Sequence, residues 1–311
     1  MTAPSMDRRP DHGRGGSIYD LGYRGYEGRR LGRRGAISAL LIHSLRTAYG
    51  LGRSARSKVV PVGLAVLAVL PSLLALGILM LISTLGAPGE AVEAISPIAY
   101  DTLFPIIATL VFLFCAAQAP ELFGRDQGSG VLPLYFSRAV GRLDYAAARV
   151  LGLYLSLAVL VLVPYIVLII GRVLVATDPV AGLGEEAPGV PVAVAVGAAV
   201  ILLVGSLSAA VASLTPRRAY STAAIIGVFL IPNIGAALLV ELDTGLVGQI
   251  SVLLSPADVL DGINAFLFDA RPDNPTVRQA GIDGWVYILA AAAWIAGSLA
   301  VLAHRYRTIE A

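Results

Sequence analysis

Apolar residues gather into six long runs, separated by short stretches rich in Gly, Pro, Arg or Asp. The runs are Val59–Leu85, Leu103–Ala119, Val150–Gly171, Val190–Leu214, Ala219–Val240 and Trp285–Ala303. A helix rises about 1.5 Å per residue, and about 20 apolar residues cross the hydrocarbon core of a bilayer. Each run therefore predicts a membrane span, the second being short unless it reaches back toward Ile95. Pro61, Pro71 and the Pro232-Asn233 pair lie inside runs. A spanning helix tolerates this where neighbours satisfy the freed carbonyl. The pattern predicts an all-α polytopic membrane protein with a six-span transmembrane domain over 59–303.

The segments between and before the runs carry their own patterns. Residues 1–35 hold little to bury and predict a cytoplasmic leader, partly disordered. Within it Tyr19, Asp20, Tyr23, Arg24 and Tyr26 form a candidate docking segment, with a basic arm on anionic lipid as the alternative. The first apolar run follows a long polar leader, so a secretory signal is not expected. Over 36–58, Ile37, Leu40, Leu41, Leu45 and Ala48 fall on one helical face and His43, Arg46 and Arg53 on another. That predicts an amphipathic helix lying in the membrane interface. Gly245–Phe268 is apolar but contains Pro256, Asp258 and Asp261, which are costly in hydrocarbon. Ser255-Pro256-Ala257-Asp258 reads as a helix start, with Ser at the cap, Pro first and an acid third. Segment 245–270 is therefore predicted to form short re-entrant or interfacial helices at the outer surface. Residues 304–311 make a short cytoplasmic tail.

Composition and charge fix the orientation. Of 311 residues, 57% are hydrophobic and 14% charged, where soluble domains carry about a quarter charged. With both termini in the cytoplasm, every Lys and Arg except Arg172, Arg271 and Arg278 falls on the inner side, as the positive-inside rule requires. The outer segments take most of the acids, from Glu90 and Glu93 to the group between Asp243 and Asp283. Lys58 is the one lysine among 23 basic residues, a bias that suits a high-GC bacterium. The predicted location is a bacterial cytoplasmic (inner) membrane.

Catalytic chemistry is hard to build from these residues. Lys58 lacks the glycine frame of a P-loop, so no Walker-type ATPase is expected here. Cys115 is alone, and His12, His43 and His304 are far apart, so no metal site is expected. The predicted spans place no ionisable residue in the membrane interior, which counts against an ion-coupled transporter. Gln118, Pro232 and Asn233 are the candidate pathway positions. Gly205, Ala209 and Ser213 recur every four residues and allow close helix approach.

The polar stretch 120–149 lies between the second and third runs. Its aromatic and aliphatic residues interleave with Arg138, Arg142 and Asp144, which predicts a short helix parallel to the membrane or an ordinary loop. Gly130-Val131-Leu132, then Leu134-Tyr135-Phe136-Ser137-Arg138-Ala139-Val140-Gly141-Arg142, then Asp144-Tyr145 and Arg149, resembles the coupling segment of type-2 ABC transporter permeases. The resemblance sets Gly130 and Leu132 on the family's Gly and Leu, Asp126 or Glu121 on the preceding acid, and Arg142, Tyr145 and Arg149 on its Arg, aromatic and final cation. Val131 stands for Thr, Ala139 for Pro, Gly141 for Ser and Arg149 for Lys. The leader around Tyr19 to Gly28 is similar to leaders of bacterial members. What the resemblance implies is a permease subunit, not an enzyme. It would pair with a second permease, the same or related, and with separate ATPase subunits that bind ATP and Mg. This chain would bind no cofactor and no nucleic acid, and its other partners would be membrane lipids. Asp126, Gly130, Leu132, Tyr135, Arg138, Arg142 and Asp144 would carry coupling to the ATPase, and export is the expected direction. An ATP-independent channel or scaffold and an ion-coupled secondary transporter are the alternatives.

Overall fold

The computed structural model describes residues 32–85, 98–137, 140–176 and 178–309, and every regular element among them is helical. Tyr19, Asp20, Tyr23, Arg24, Tyr26 and Arg138 lie outside the described residues.

Six helices are long and apolar enough to cross a membrane, which makes this a multi-pass membrane protein. They are α2 (Ala55–Thr84), α3 (Tyr100–Ala119), α6 (Arg142–Val175), α8 (Gly189–Leu214), α9 (Arg218–Glu241) and α13 (Gly284–Thr308). Each contains its predicted run almost whole. The second span starts at Tyr100 and gains length at its other end, where a turn of π-helix (Pro120–Gly124) leads into α4 (Arg125–Gly128). Half of the apolar window in the second and fourth spans is buried, against 17% in the fifth. The second, third and fourth spans thus form the centre. The first, fifth and sixth present leucine, valine and isoleucine outward, as a lipid-facing helix should. Packing at the centre uses small residues and shared carbonyls. Ser72 of the first span donates to the Pro164 carbonyl of the third at 2.9 Å, and Thr222 of the fifth to the Ala116 carbonyl of the second at 2.8 Å.

The first described helix, α1 (Gly32–Ala48), differs in its bounds from the predicted 36–58 segment. It ends at Ala48, and the first span already begins at Ala55. Its buried residues are Leu40, Ser44, Thr47 and Ala48, while Ile42 is exposed. The predicted apolar face turns inward, with Leu40 and Ala48 buried, Ile37, Leu41 and Leu45 half-buried and His43 and Arg46 exposed, and it packs along the third span with Ser44 as a polar contact.

Segment 120–149 is mostly the ends of two long helices, and only α5 (Leu132–Phe136) stands between them. Beyond the third span lies α7 (Pro179–Glu186). Between the fifth and sixth spans, α10 (Leu246–Leu254) and α11 (Pro256–Leu267) meet at a 94° bend, followed by α12 (Pro275–Ala280). Ser255 caps α11 by accepting from the Asp258 amide, as its sequence predicts.

Candidate functional site

Two polar centres stand at opposite ends of the bundle. The first gathers where the second and third spans meet α1. Pro120 opens the π-turn, which carries Leu122 and Phe123 into the core and Glu121 outward. Glu121 ion-pairs with Arg53 at 3.0 Å, Arg218 at 2.5 Å and, more loosely, Arg125 at 3.9 Å. One carboxylate so ties the entry of the first span to that of the fifth. Gly124 and Gly128 bring this segment against the 215–216 backbone, and a Cβ at Gly124 would stand 3.4 Å from the Thr215 carbonyl oxygen.

One turn on, Asp126 pairs with Arg149, whose side chain is 2% exposed. Tyr145 donates to the same Asp126 oxygen at 2.7 Å, and Arg149 donates to Tyr145 at 3.2 Å and to Ser44 of α1 at 3.1 Å. Tyr145 lies within a cluster with Tyr135, Phe136 and Tyr306, its ring centroid 5.3 Å from that of Tyr135. Charge and hydrogen-bond capacity are matched, which is the condition for burying an ion pair without a large penalty. On α1, partial burial and the nearby Arg149 guanidinium push His43 below its ordinary value.

The residues nominated for coupling divide by this geometry. Asp126, Leu132 and Tyr135 face inward, Asp126 into its pair with Arg149 and Leu132 into the core. Asp144 caps its own helix by accepting from the Gly141 amide at 3.0 Å and pairs with Arg33 at 2.7 Å. Gly130 turns the chain with φ at +66°, a conformation that favours glycine. Arg142 is exposed, bonds the Arg307 carbonyl at 3.0 Å and lies over the Phe136 ring. The outermost apolar side chain at this tip is Leu134, 67% exposed, a residue of the quoted motif that was not among those nominated for coupling. Glu121 entered that reading only as an alternative acid. The signal for it was an acid just past a span, at the end where Arg53 and Arg218 also fall.

The second centre lies around α11, between the fifth and sixth spans, where the sequence placed costly acids in an apolar segment. Asp258 is wholly buried, and one of its oxygens accepts from Asn233 of the fifth span and from Asn274, each at 2.7 Å. Asn233 stands eight residues before Glu241, hence about 12 Å inside that end of the span. Asp261 follows one turn later. Burial raises both carboxyls, Asp261 to about 6 with Asp273 and Asp258 adding to the effect, while the bonds to Asp258 pull the other way. Of the three pathway candidates, only Asn233 reaches a partner of functional interest. Gln118 is buried on the second span and Pro232 is half-buried. Among the described residues no three His, Cys, Asp or Glu gather to hold a metal ion. Compared with protein-family models and with curated proteins, the chain matches none.

Proposed function

We propose that this chain is the permease subunit of a type-2 ABC transporter, set in a bacterial cytoplasmic membrane with both termini inside. It forms the substrate pathway and takes its drive from separate ATPase subunits, which bind ATP and Mg. The observation that carries the reading is the exposed tip around Leu134 and Arg142. It hangs between the ends of two central spans and is braced by the buried Asp126–Arg149 pair. A partner pressing on that tip moves two spans and α1 together, because Arg149 bonds to Asp126 and Ser44 at once. A rigid lever with an apolar knob suits a soluble partner that changes shape. In this reading α1 lies at the cytoplasmic face, α5 is the coupling helix, and α10 and α11 form the outer re-entrant pair. The second permease packs on exposed span faces, and export is the direction.

Pull-down of tagged protein in mild detergent, from cells expressing its genomic neighbours, tests this. We expect an ATPase to co-purify and ATP hydrolysis in the eluate, both lost in Leu134→Glu and in the Arg138→Glu, Arg142→Glu double variant. A lone protein without hydrolysis sinks the proposal in favour of a channel or scaffold.

Asp258, buried and bonded to Asn233 of the fifth span, gives weight to a second reading, an ion-coupled secondary transporter, since buried acids beside spans can serve such pathways. That reading requires transport to survive ATP depletion and to collapse with the ion gradient.

A further inference from the structure

Four oxygens around α11 are buried and lack any hydrogen-bond partner among the described residues: Asp258 Oδ2, Asp261 Oδ2, Asn264 Oδ1 and the Tyr287 hydroxyl. Three can only accept while the carboxyls are ionised. Tyr287, 2% exposed, brings the single O–H among them and comes from a different helix, α13. Asp258 and Asp261 are three residues apart on α11, so their side chains are neighbours. Gly262 lets the Tyr287 ring lie on that same turn, for a Cβ there would stand 2.5 Å from it. Both carboxyls act electrostatically on its hydroxyl.

Among the described residues no cation pairs with either carboxyl. From α3 comes Asp101, whose carbonyl accepts from Asn264 at 2.6 Å. Asp273 precedes α12, and α12 presents Asn274 at its cap. The fifth span presents Asn233, while α8 and α10 contain no charged residue. Arg271 and Arg278 are exposed, and neither forms an ion pair with the cluster. Each carboxyl keeps one buried oxygen without a donor, Asn233 and Asn274 serving the other oxygen of Asp258 and the Asn274 backbone serving Asp261. A buried carboxylate so left, with no paired cation, gains by taking up a proton. A calcium-sized ion takes about six to eight oxygen ligands, more than the unpartnered oxygens of Asp258, Asp261, Asn264 and Tyr287 supply.

We propose that Asp258 and Asp261 form a proton-binding site that holds one proton in mildly acidic surroundings and releases it toward neutrality. The proton also sets how firmly α11 grips the fifth span. An ionised Asp258 accepts from Asn233 and Asn274 as charge-assisted bonds, and a protonated one holds them more weakly. The site needs nothing from whatever docks at the opposite end, so it stands or falls apart from the permease reading.

Infrared difference spectroscopy on the purified full-length protein, titrated from about pH 8 to about pH 5, reads this directly. A protonated-carboxyl C=O stretch is expected to grow in near pH 6. It should vanish in Asp258→Asn or Asp261→Asn and remain in Asp101→Asn. Asp261→Glu keeps a carboxyl and should shift the midpoint, which covers the case where an Asn variant fails to fold. A wild-type spectrum with no such band above pH 5 overturns the proposal without recourse to any variant. So does a band that survives in both Asn variants, or one that calcium or sodium removes at constant pH.

Discussion

The two ends of this bundle bury acids by opposite means. At the α1 end, Asp126 meets Arg149, and Glu121 meets three arginines. Around α11, Asp258 and Asp261 meet amides, a phenol and other acids. The first arrangement pairs each carboxylate with guanidinium groups and makes a fixed joint. The second has an ionisation that depends on conditions, because burial is offset by neutral donors alone. The lesson concerns partners more than residue type: one aspartate is tied to a guanidinium from another helix, and the other is buried with neutral donors alone.

The largest effect is expected from breaking the matched pair. Arg149→Met leaves Asp126 without its cation and should cost about 3–5 kcal/mol, read from thermal unfolding in detergent. Replacing both partners with apolar residues should recover most of that loss, and an additive double variant would contradict the pairing. Next comes the opposite end. Asp261 keeps its proton up to about pH 6 when folded and loses it near 3.8 when unfolded. The folded state therefore binds more protons across that window, and stability rises as pH falls from 7 toward 5, by about 1 kcal/mol. Asp261→Asn should flatten the slope. A wild-type midpoint that falls over this range would reverse the comparison. Glu121→Gln should cost about 1 kcal/mol, since its partners Arg125 and Arg218 are mostly exposed and solvent screens them. Arg33→Ala should leave the unfolding midpoint unchanged, because its pair with Asp144 is open to solvent.

Much of the fold was legible in the sequence, because a bilayer demands long apolar runs and each run became a helix. The cap at Ser255 was legible for a local reason, since Ser, Pro and an acid at those spacings satisfy a helix start on their own. The partner of α1 was not, because an apolar face packed on the third span looks the same in sequence as one laid on lipid, and the contact through Ser44 leaves no periodic trace. Asp258 shows the same limit more sharply. Its acid character argued for the surface, yet Asn233 and Asn274, distant in sequence, fold over it and bury it. At the tip between the second and third spans, the charged residues drew attention while Leu134, an ordinary leucine, is the most exposed of the large apolar side chains there.

The central claim is that the joint end receives an ATPase. Replacing Cys115, which is buried, with Ser allows single cysteines at each end, Leu134→Cys at the tip and Leu246→Cys beside the bent pair. Cross-linking in membranes that contain the neighbouring gene products should join Leu134→Cys to an ATPase subunit and leave Leu246→Cys free of it. Cross-linking of the ATPase to the Leu246 site alone, or to neither site, would contradict the account.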